Sequence, residues 1–177
     1  MHFEKTLENK EIFSGRVFEV VEQTVLLEDN QIAKREIVRH NGGAAIVAID
    51  ELQNIYMVKQ FRKPVDMETL EIPAGKLEKG EEPYLCAVRE LAEETGIIAN
   101  KIDPLGCILT TPGFCDEKLY LYLATELTKG ASSLDHDEFL SCEKIPLVKC
   151  LEKIEQGEII DSKSVIGILR TARIFGY

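Results

Sequence analysis

Residues 75–97 read GKLEKGEEPYLCAVRELAEETGI, and no other stretch of the chain constrains the fold so tightly. Glycines open and close it, and Glu90, Glu93 and Glu94 recur between them at helical spacing. At ~100° per residue that spacing predicts a helix over about residues 81–95 carrying the three carboxylates within an arc of about 100°. Gly96 falls where a helix C-cap belongs. Tyr84, Leu85, Val88, Leu91 and Ala92 lie on the opposite side and are expected to face the core. Like charges so spaced repel, costing a bare helix a few tenths of a kcal/mol per pair. A bound cation would account for the repulsion, and all-oxygen ligation suits Mg²⁺ or Mn²⁺ better than zinc. Acidic faces are also common on solvated helices, and the glutamate pairs alone fit that plainer account.

With 177 residues, 45% of them hydrophobic, the chain can bury a proper core as one compact domain with an appendage. A net charge of −10 argues against a nucleic-acid or anionic-membrane surface, both of which need basic patches. A phosphate-bearing substrate would therefore depend on metal ions or individual arginines. The five cysteines, Cys86, Cys107, Cys115, Cys142 and Cys150, form no C-x-x-C pair and fit free thiols in a reducing cytoplasm. The opening MHFEKTLENK has no apolar leader, and no apolar run reaches membrane-spanning length, so a soluble, unexported protein is expected.

Residues 17–27 and 32–40 are β-rich runs that read as a hairpin. Residues 44–49 and 55–61 read as a second strand pair, and 70–72 as a short extended piece before Pro73-Ala74-Gly75. After the acidic helix come strands at 105–110 and 118–124, then a long polar loop over 126–141. Two helices close the chain, at about 146–156 and 162–173, the second capped by Asp161. The order predicts an α/β fold, a mixed sheet covered by helices on both faces.

The spacing of Gly75, Glu81, Arg89, Glu90, Leu91, Glu93, Glu94, Gly96 and Ile97 resembles the Nudix box, G-x5-E-x7-R-E-U-x-E-E-x-G-U with U apolar, at every defined position. So complete a match is far more specific than a glycine-rich loop and outweighs the plain solvated-face account. The resemblance covers about residues 41–177 and implies a Nudix-type α/β/α sandwich with a mixed sheet. Residues 1–40 resemble the small antiparallel β-subdomain of the family's ADP-ribose pyrophosphatases. In that subgroup the leading strands commonly build a homodimer with substrate held between subunits; an ordinary edge hairpin is the simpler alternative. Pro112 in TTPGFCDE, together with LEIPAGKLEKGE and QFRKPV, resembles the same subgroup.

Nudix enzymes cleave a nucleoside diphosphate linked to another moiety, and the resemblance implies metal-dependent hydrolysis of ADP-ribose to AMP and ribose 5-phosphate. Other nucleoside diphosphate sugars are the nearest alternative substrates. A non-catalytic ADP-ribose sensor is the alternative from another class, and the intact glutamate set argues against it. Glu90 and Glu94, one helical turn apart, can share a metal ion, while Glu93 can bridge a second ion or orient water. Similar enzymes lead one to expect a metal contact from the Ala74 carbonyl, brought in by the tight loop that Gly75 allows. Arg89 is expected to organise the cluster by pairing with Glu81 or Glu93. Cys86, one turn before Glu90, is read as a space-filling side chain rather than a ligand. By resemblance, Arg62 contacts the diphosphate or terminal ribose, Glu117 the ribose hydroxyls, and Arg39 adds a second positive contact. Phe13 and Phe18 are candidates for stacking on adenine, with a core role weighed against it for Phe18.

One departure concerns the water-activating base. The family's acidic loop reads like D-E-D-E, whereas this chain has Asp135-His136-Asp137-Glu138-Phe139. His136 could be the base, Glu138 or Glu93 could take over, or His136 could be an ordinary surface residue. Glu93 or Glu138 is favoured, because surrounding carboxylates would hold the imidazole protonated. Glu138 is also expected as a third metal contact.

Overall fold

The structure is a computed structural model describing residues 2–130 and 140–177. His136 and Glu138 lie outside the described residues. The strands are β1 (Lys5–Ser14), β2 (Phe18–Leu26), β3 (Ile32–His40), β4 (Gly43–Ala48), β5 (Asn54–Arg62), β6 (Met67–Glu71), β7 (Ala74–Lys76), β8 (Ile97–Leu109), β9 (Lys118–Lys129) and β10 (Leu140–Pro146). The helices are α1 (Pro83–Thr95), α2 (Leu147–Glu155) and α3 (Ser162–Ile174). The chain divides into two compact units, Met1–Gly42 with Leu109–Lys118, and Gly43–Ile108 with Leu119–Tyr177.

The first unit is an antiparallel sheet in the order β1-β2-β3. β1 is absent from the sequence reading because KTLENKEIFS is rich in charge and exposed along its whole length, so no buried alternation marks it. At the far end of β3, the Val38 N–H donates to the Phe114 carbonyl and the Asp116 N–H to the Val38 carbonyl. These bonds tie the Pro112 loop into the first unit.

The second unit holds two sheets, β10-β5-β6 and β7-β4-β9-β8. β4 is antiparallel to β7 and parallel to β9, so the sheet is mixed. GAAIVA is buried at every position of β4, as a strand covered on both faces must be. Ala44, Ile46 and Ala48 pack with Cys86, Ala87 and Leu91 of α1. Ala45, Val47 and Ile49 pack with Leu147, Cys150, Ile168 and Ala172 of α2 and α3. The result is the α/β/α layering that the element order predicts. No helix among the described residues is long and apolar enough to cross a membrane.

Three expectations need correction. β4 and β5 do not pair as a hairpin; they lie in different sheets and share only the Ile49–Ile55 bridge. Residues 126–129 and 140–141, expected within a long loop, are strand, since β9 runs to Lys129 and β10 begins at Leu140. The apolar stripe of α1 faces the core at Leu91 but not over its first half. Tyr84, Leu85 and Val88 are 47%, 58% and 38% exposed, while Glu90 and Glu94 are 7% and 4% exposed. The buried face is Cys86, Ala87, Glu90, Leu91 and Glu94. Carboxylates can occupy it because β7 supplies a backbone donor and a side-chain-free residue opposite them, as the site geometry shows.

Candidate active site

Pro83 opens α1 at a position where its missing N–H costs no helical hydrogen bond. Gly96 closes the helix at φ 67°, a left-handed conformation that glycine adopts without strain. Between these ends the buried carboxylates meet β7. Glu94 Oε2 accepts from the Ala74 N–H at 3.0 Å. A Cβ on Gly75 would lie 1.6 Å from Glu90 Oε1, so the missing side chain at position 75 is the space that the Glu90 carboxylate fills. The Pro73 carbonyl accepts from the Ile46 N–H, pinning the turn to β4.

Arg89 is the cation of this face. Its Nη1 donates to Glu90 Oε1 at 2.8 Å and to Glu93 Oε2 at 2.9 Å, and its Nε to Glu81 Oε1 at 3.2 Å. Burial works against the guanidinium charge, but Glu81, Glu90 and Glu93 outweigh it and hold Arg89 protonated well above its ordinary range. The Arg89 hydrogen bond holds the Glu81 carboxyl below its usual range, against a smaller opposing effect of burial. Cys86 is wholly buried beneath this group, and burial, helped by the fields of Glu81 and Glu90, pushes its thiol up to about 12. Its Sγ lies within hydrogen-bonding distance of the Gly75 and Lys76 carbonyls, and the side chain fills space beneath the cluster.

The structure thus brings Ala74, Gly75, Glu81, Arg89, Glu90, Glu93 and Glu94 together. Every side-chain acceptor in the set is a carboxylate oxygen, which fits a hard divalent cation. The cradle at Gly75 fits the same purpose, because it lets a buried carboxylate approach backbone closely. Among the described residues no three carboxylate, imidazole or thiol groups are already gathered as a ligand set. Glu90 is turned to Arg89, and Glu94 to the Ala74 N–H.

Arg62, in the same unit, ends β5 and forks onto Glu71 through Nε at 2.8 Å and Nη2 at 2.7 Å. The Glu71 hydrogen bond raises its pKa most, with further support from Asp161 and Glu94. Arg39 and Glu117 belong to the first unit. Arg39 Nη1 donates to Asp116 Oδ2 at 2.8 Å, and the other carboxylate oxygen of Asp116 accepts from the His40 N–H. Glu117 Oε1 lies 3.3 Å from His40 Nδ1, an atom that also accepts from the Gly42 N–H. Phe13 and Phe18 are both exposed and contact each other at a ring separation of 5.6 Å.

Sequence reasoning missed Glu71, Asp116, His40 and Lys163. Glu71 left one signal, a lone carboxylate inside the run TLEIPAG, which resembles a strand buried at that point.

The chain is similar to several known proteins. A "Methanol dehydrogenase activator" of Bacillus methanolicus is 46% identical over 93% of this chain and 90% of its own length. An "ADP-ribose pyrophosphatase" of Bacillus subtilis is 44% identical over the same shares of the two chains. The crystal structure of an "ADP compounds hydrolase" superposes with a TM-score of 0.85 at 19% identity, covering 97% of this chain and 94% of that one, which supports the fold. Residues 39–162 match the NUDIX domain, a span that contains the whole acidic helix and its glycine cradle, and the chain therefore belongs to the Nudix family.

Proposed function

We propose that this protein is an ADP-ribose pyrophosphatase that hydrolyses the diphosphate bond to give AMP and ribose 5-phosphate. The observation that carries the reading is the buried acidic face of α1, with Glu90 fitted over Gly75 and Glu94 bonded to Ala74. Burying a carboxylate costs free energy that its partners must offset, and a divalent cation would add to what Arg89 and the Ala74 N–H supply to buried Glu90 and Glu94. The 44% identity to the Bacillus subtilis ADP-ribose pyrophosphatase supplies the substrate class.

Nudix ADP-ribose pyrophosphatases are in general dependent on divalent metal. Mg²⁺, or Mn²⁺ in its place, would be held by Glu90, Glu94, the Ala74 carbonyl and Glu138. When bound it supplies positive charge against the diphosphate and acidifies water. Arg89 keeps Glu90 and Glu93 in fixed orientations by donating to both. Arg62 contributes charge-assisted donors to the phosphate oxygens. Arg39 and Glu117 are read as nucleotide and ribose contacts. Water attacks one phosphorus, its oxygen forms the new P–O bond, and its proton passes to Glu93 or Glu138. The bond between that phosphorus and the bridging oxygen breaks in line with the attack, and the bridging oxygen leaves with the other phosphoryl group. The β1–β3 unit, carrying exposed Phe3, Leu7, Ile12 and Phe13, is read as the dimerisation element, and the protein as cytoplasmic.

The test is a panel of ADP-ribose, GDP-mannose, ATP and GTP assayed with Mg²⁺. kcat/KM for ADP-ribose should exceed that for either triphosphate by at least ~10²-fold. A preference for triphosphates would overturn the substrate and leave only the family. A second reading rests on the 46% identity to a protein named as an activator of methanol dehydrogenase. In that reading the same centre serves a partner enzyme, and dehydrogenase turnover would rise when this protein and Mg²⁺ are added.

A further inference from the structure

Four charged side chains meet where β5, β6 and the start of α3 come together, all outside the signature segment. Glu71, at the end of β6, is 2% exposed. Its Oε1 accepts from Arg62 Nε at 2.8 Å and Thr69 Oγ1 at 2.6 Å, and its Oε2 from Arg62 Nη2 at 2.7 Å. Lys163, 8% exposed in the first turn of α3, donates to the same Oε2 and lies 3.0 Å from Asp161 Oδ1. Asp161 caps α3 by accepting from the Ser164 N–H at 3.0 Å.

Stability alone does not explain placing two cations on one buried carboxylate. Desolvation of the ions offsets most of their attraction, and apolar side chains of the same volume often serve as well. What such a network does fix is direction. The fork uses Nε and one Nη2 hydrogen of Arg62 and leaves the remaining guanidinium donors for another acceptor. The Arg62 side chain is 41% exposed while that of Glu71 is 3%, so an anchored edge inside is joined to a part that meets solvent. The ordering cost of a long side chain then falls on folding rather than on substrate binding.

A second arm reaches the metal-binding turn. The Ile72 N–H donates to Ser164 Oγ at 2.8 Å, and the Ser164 hydroxyl donates to Asp161. Two residues further on, the Ala74 N–H meets Glu94. The start of α3 therefore braces both Arg62 and the backbone that leads into Ala74–Gly75.

We propose that Glu71 and Lys163 are positioning residues for the diphosphate: Lys163 holds the Glu71 carboxylate, and the Glu71 fork aims Arg62 at the phosphate oxygens of the substrate. The proposal rests on the reading of this site as an ADP-ribose hydrolase. Neither residue touches substrate, so both act only through Arg62.

That dependence defines the test. Steady-state kinetics on ADP-ribose with Mg²⁺ are compared for wild type, Glu71→Gln, Lys163→Met, Lys163→Arg and Arg62→Ala, and for Glu71→Gln and Lys163→Met in the Arg62→Ala background. Glu71→Gln keeps the shape but loses the double acceptor, and should raise KM about 10-fold with kcat within about 3-fold. Lys163→Met should raise KM in the same way, and Lys163→Arg should restore it. In the Arg62→Ala background either substitution should change kcat/KM less than about 2-fold, because the residue it positions is already gone. If the buried variants fail to fold, Thr69→Val removes a single bond to Glu71 and should raise KM about 2- to 3-fold, again only while Arg62 is present. Losses that multiply with Arg62→Ala, or an unchanged KM beside a lowered Tm, would overturn the positioning role. Absence of wild-type turnover would instead overturn the functional reading and the proposal with it.

Discussion

Gly75→Ala separates the role of the glycine cradle in folding from its role in function. The added Cβ would lie 1.6 Å from Glu90 Oε1 and 2.0 Å from Cδ. Ordinary contact begins at about 3.4 Å, so the carboxylate must move by about 2 Å or the turn must yield. The atoms in conflict are the far end of a flexible side chain, which can swing aside more cheaply than backbone. We therefore expect a cost of only about 1–2 kcal/mol, a Tm lower by roughly 2–8 °C for a chain of this size. Glu90 would no longer stand where a cation can share it with Glu94. A misplacement of about 1 Å can cost about 10²-fold in rate, so kcat should fall by at least ~10²-fold. Thermal melts and AMP release, measured on the same preparation, give both numbers. Combining Gly75→Ala with Glu90→Gln should cost little more activity than Glu90→Gln alone, since both remove the same ligand. Near wild-type kcat in Gly75→Ala, or fully multiplicative losses in the double variant, would show that the glycine does not place Glu90 for a metal ion.

Glu90→Gln and Glu94→Gln should each lower activity by at least ~10²-fold in folded protein, because each removes an anionic metal ligand; wild-type rates would remove the metal-site assignment. The pH dependence of stability should carry the signature of Glu71. Burial acts to raise its pKa, but Arg62, Lys163 and Thr69 bring it down from 4.5 to about 2. A folded value below the unfolded one stabilises the protein above pH 4.5, and that contribution, about 3 kcal/mol, is lost as pH falls toward 2. Melts across that range should therefore show a steeper fall for wild type than for Glu71→Gln, and equal slopes would contradict the assignment. Burial pushes the thiols of Cys86 and Cys150 up to about 12, so a thiol reagent at neutral pH should label exposed Cys107 and reach those two only on unfolding. Rapid native-state labelling of Cys86, read by peptide mass, would place it elsewhere.

The acidic helix and its cap were legible because their information is one-dimensional: helical spacing fixes which residues share a face. The direction of that face was not. An amphipathic rule sends carboxylates to water, and it sent Tyr84, Leu85 and Val88 inward. Glu90 and Glu94 are instead buried because Gly75 lacks a side chain and Ala74 offers an N–H. Both are partners from another element. β4 was legible as a strand from its unbroken apolar run, yet its neighbours were not, since β9 pairs Gly43 with Leu119, 76 residues further on, as a parallel partner that no local turn announces. β1 gave no signal because nothing in it is buried. The Lys163–Glu71 pair spans 92 residues, and each member alone looks like a surface charge.

The most direct test of the account is product analysis with ADP-ribose as sole substrate, in Mg²⁺ and again after chelation with EDTA. AMP and ribose 5-phosphate should appear in equal amounts with Mg²⁺, be lost with EDTA and return when Mg²⁺ is restored. Failure to release AMP, or release at an undiminished rate in EDTA, would contradict it.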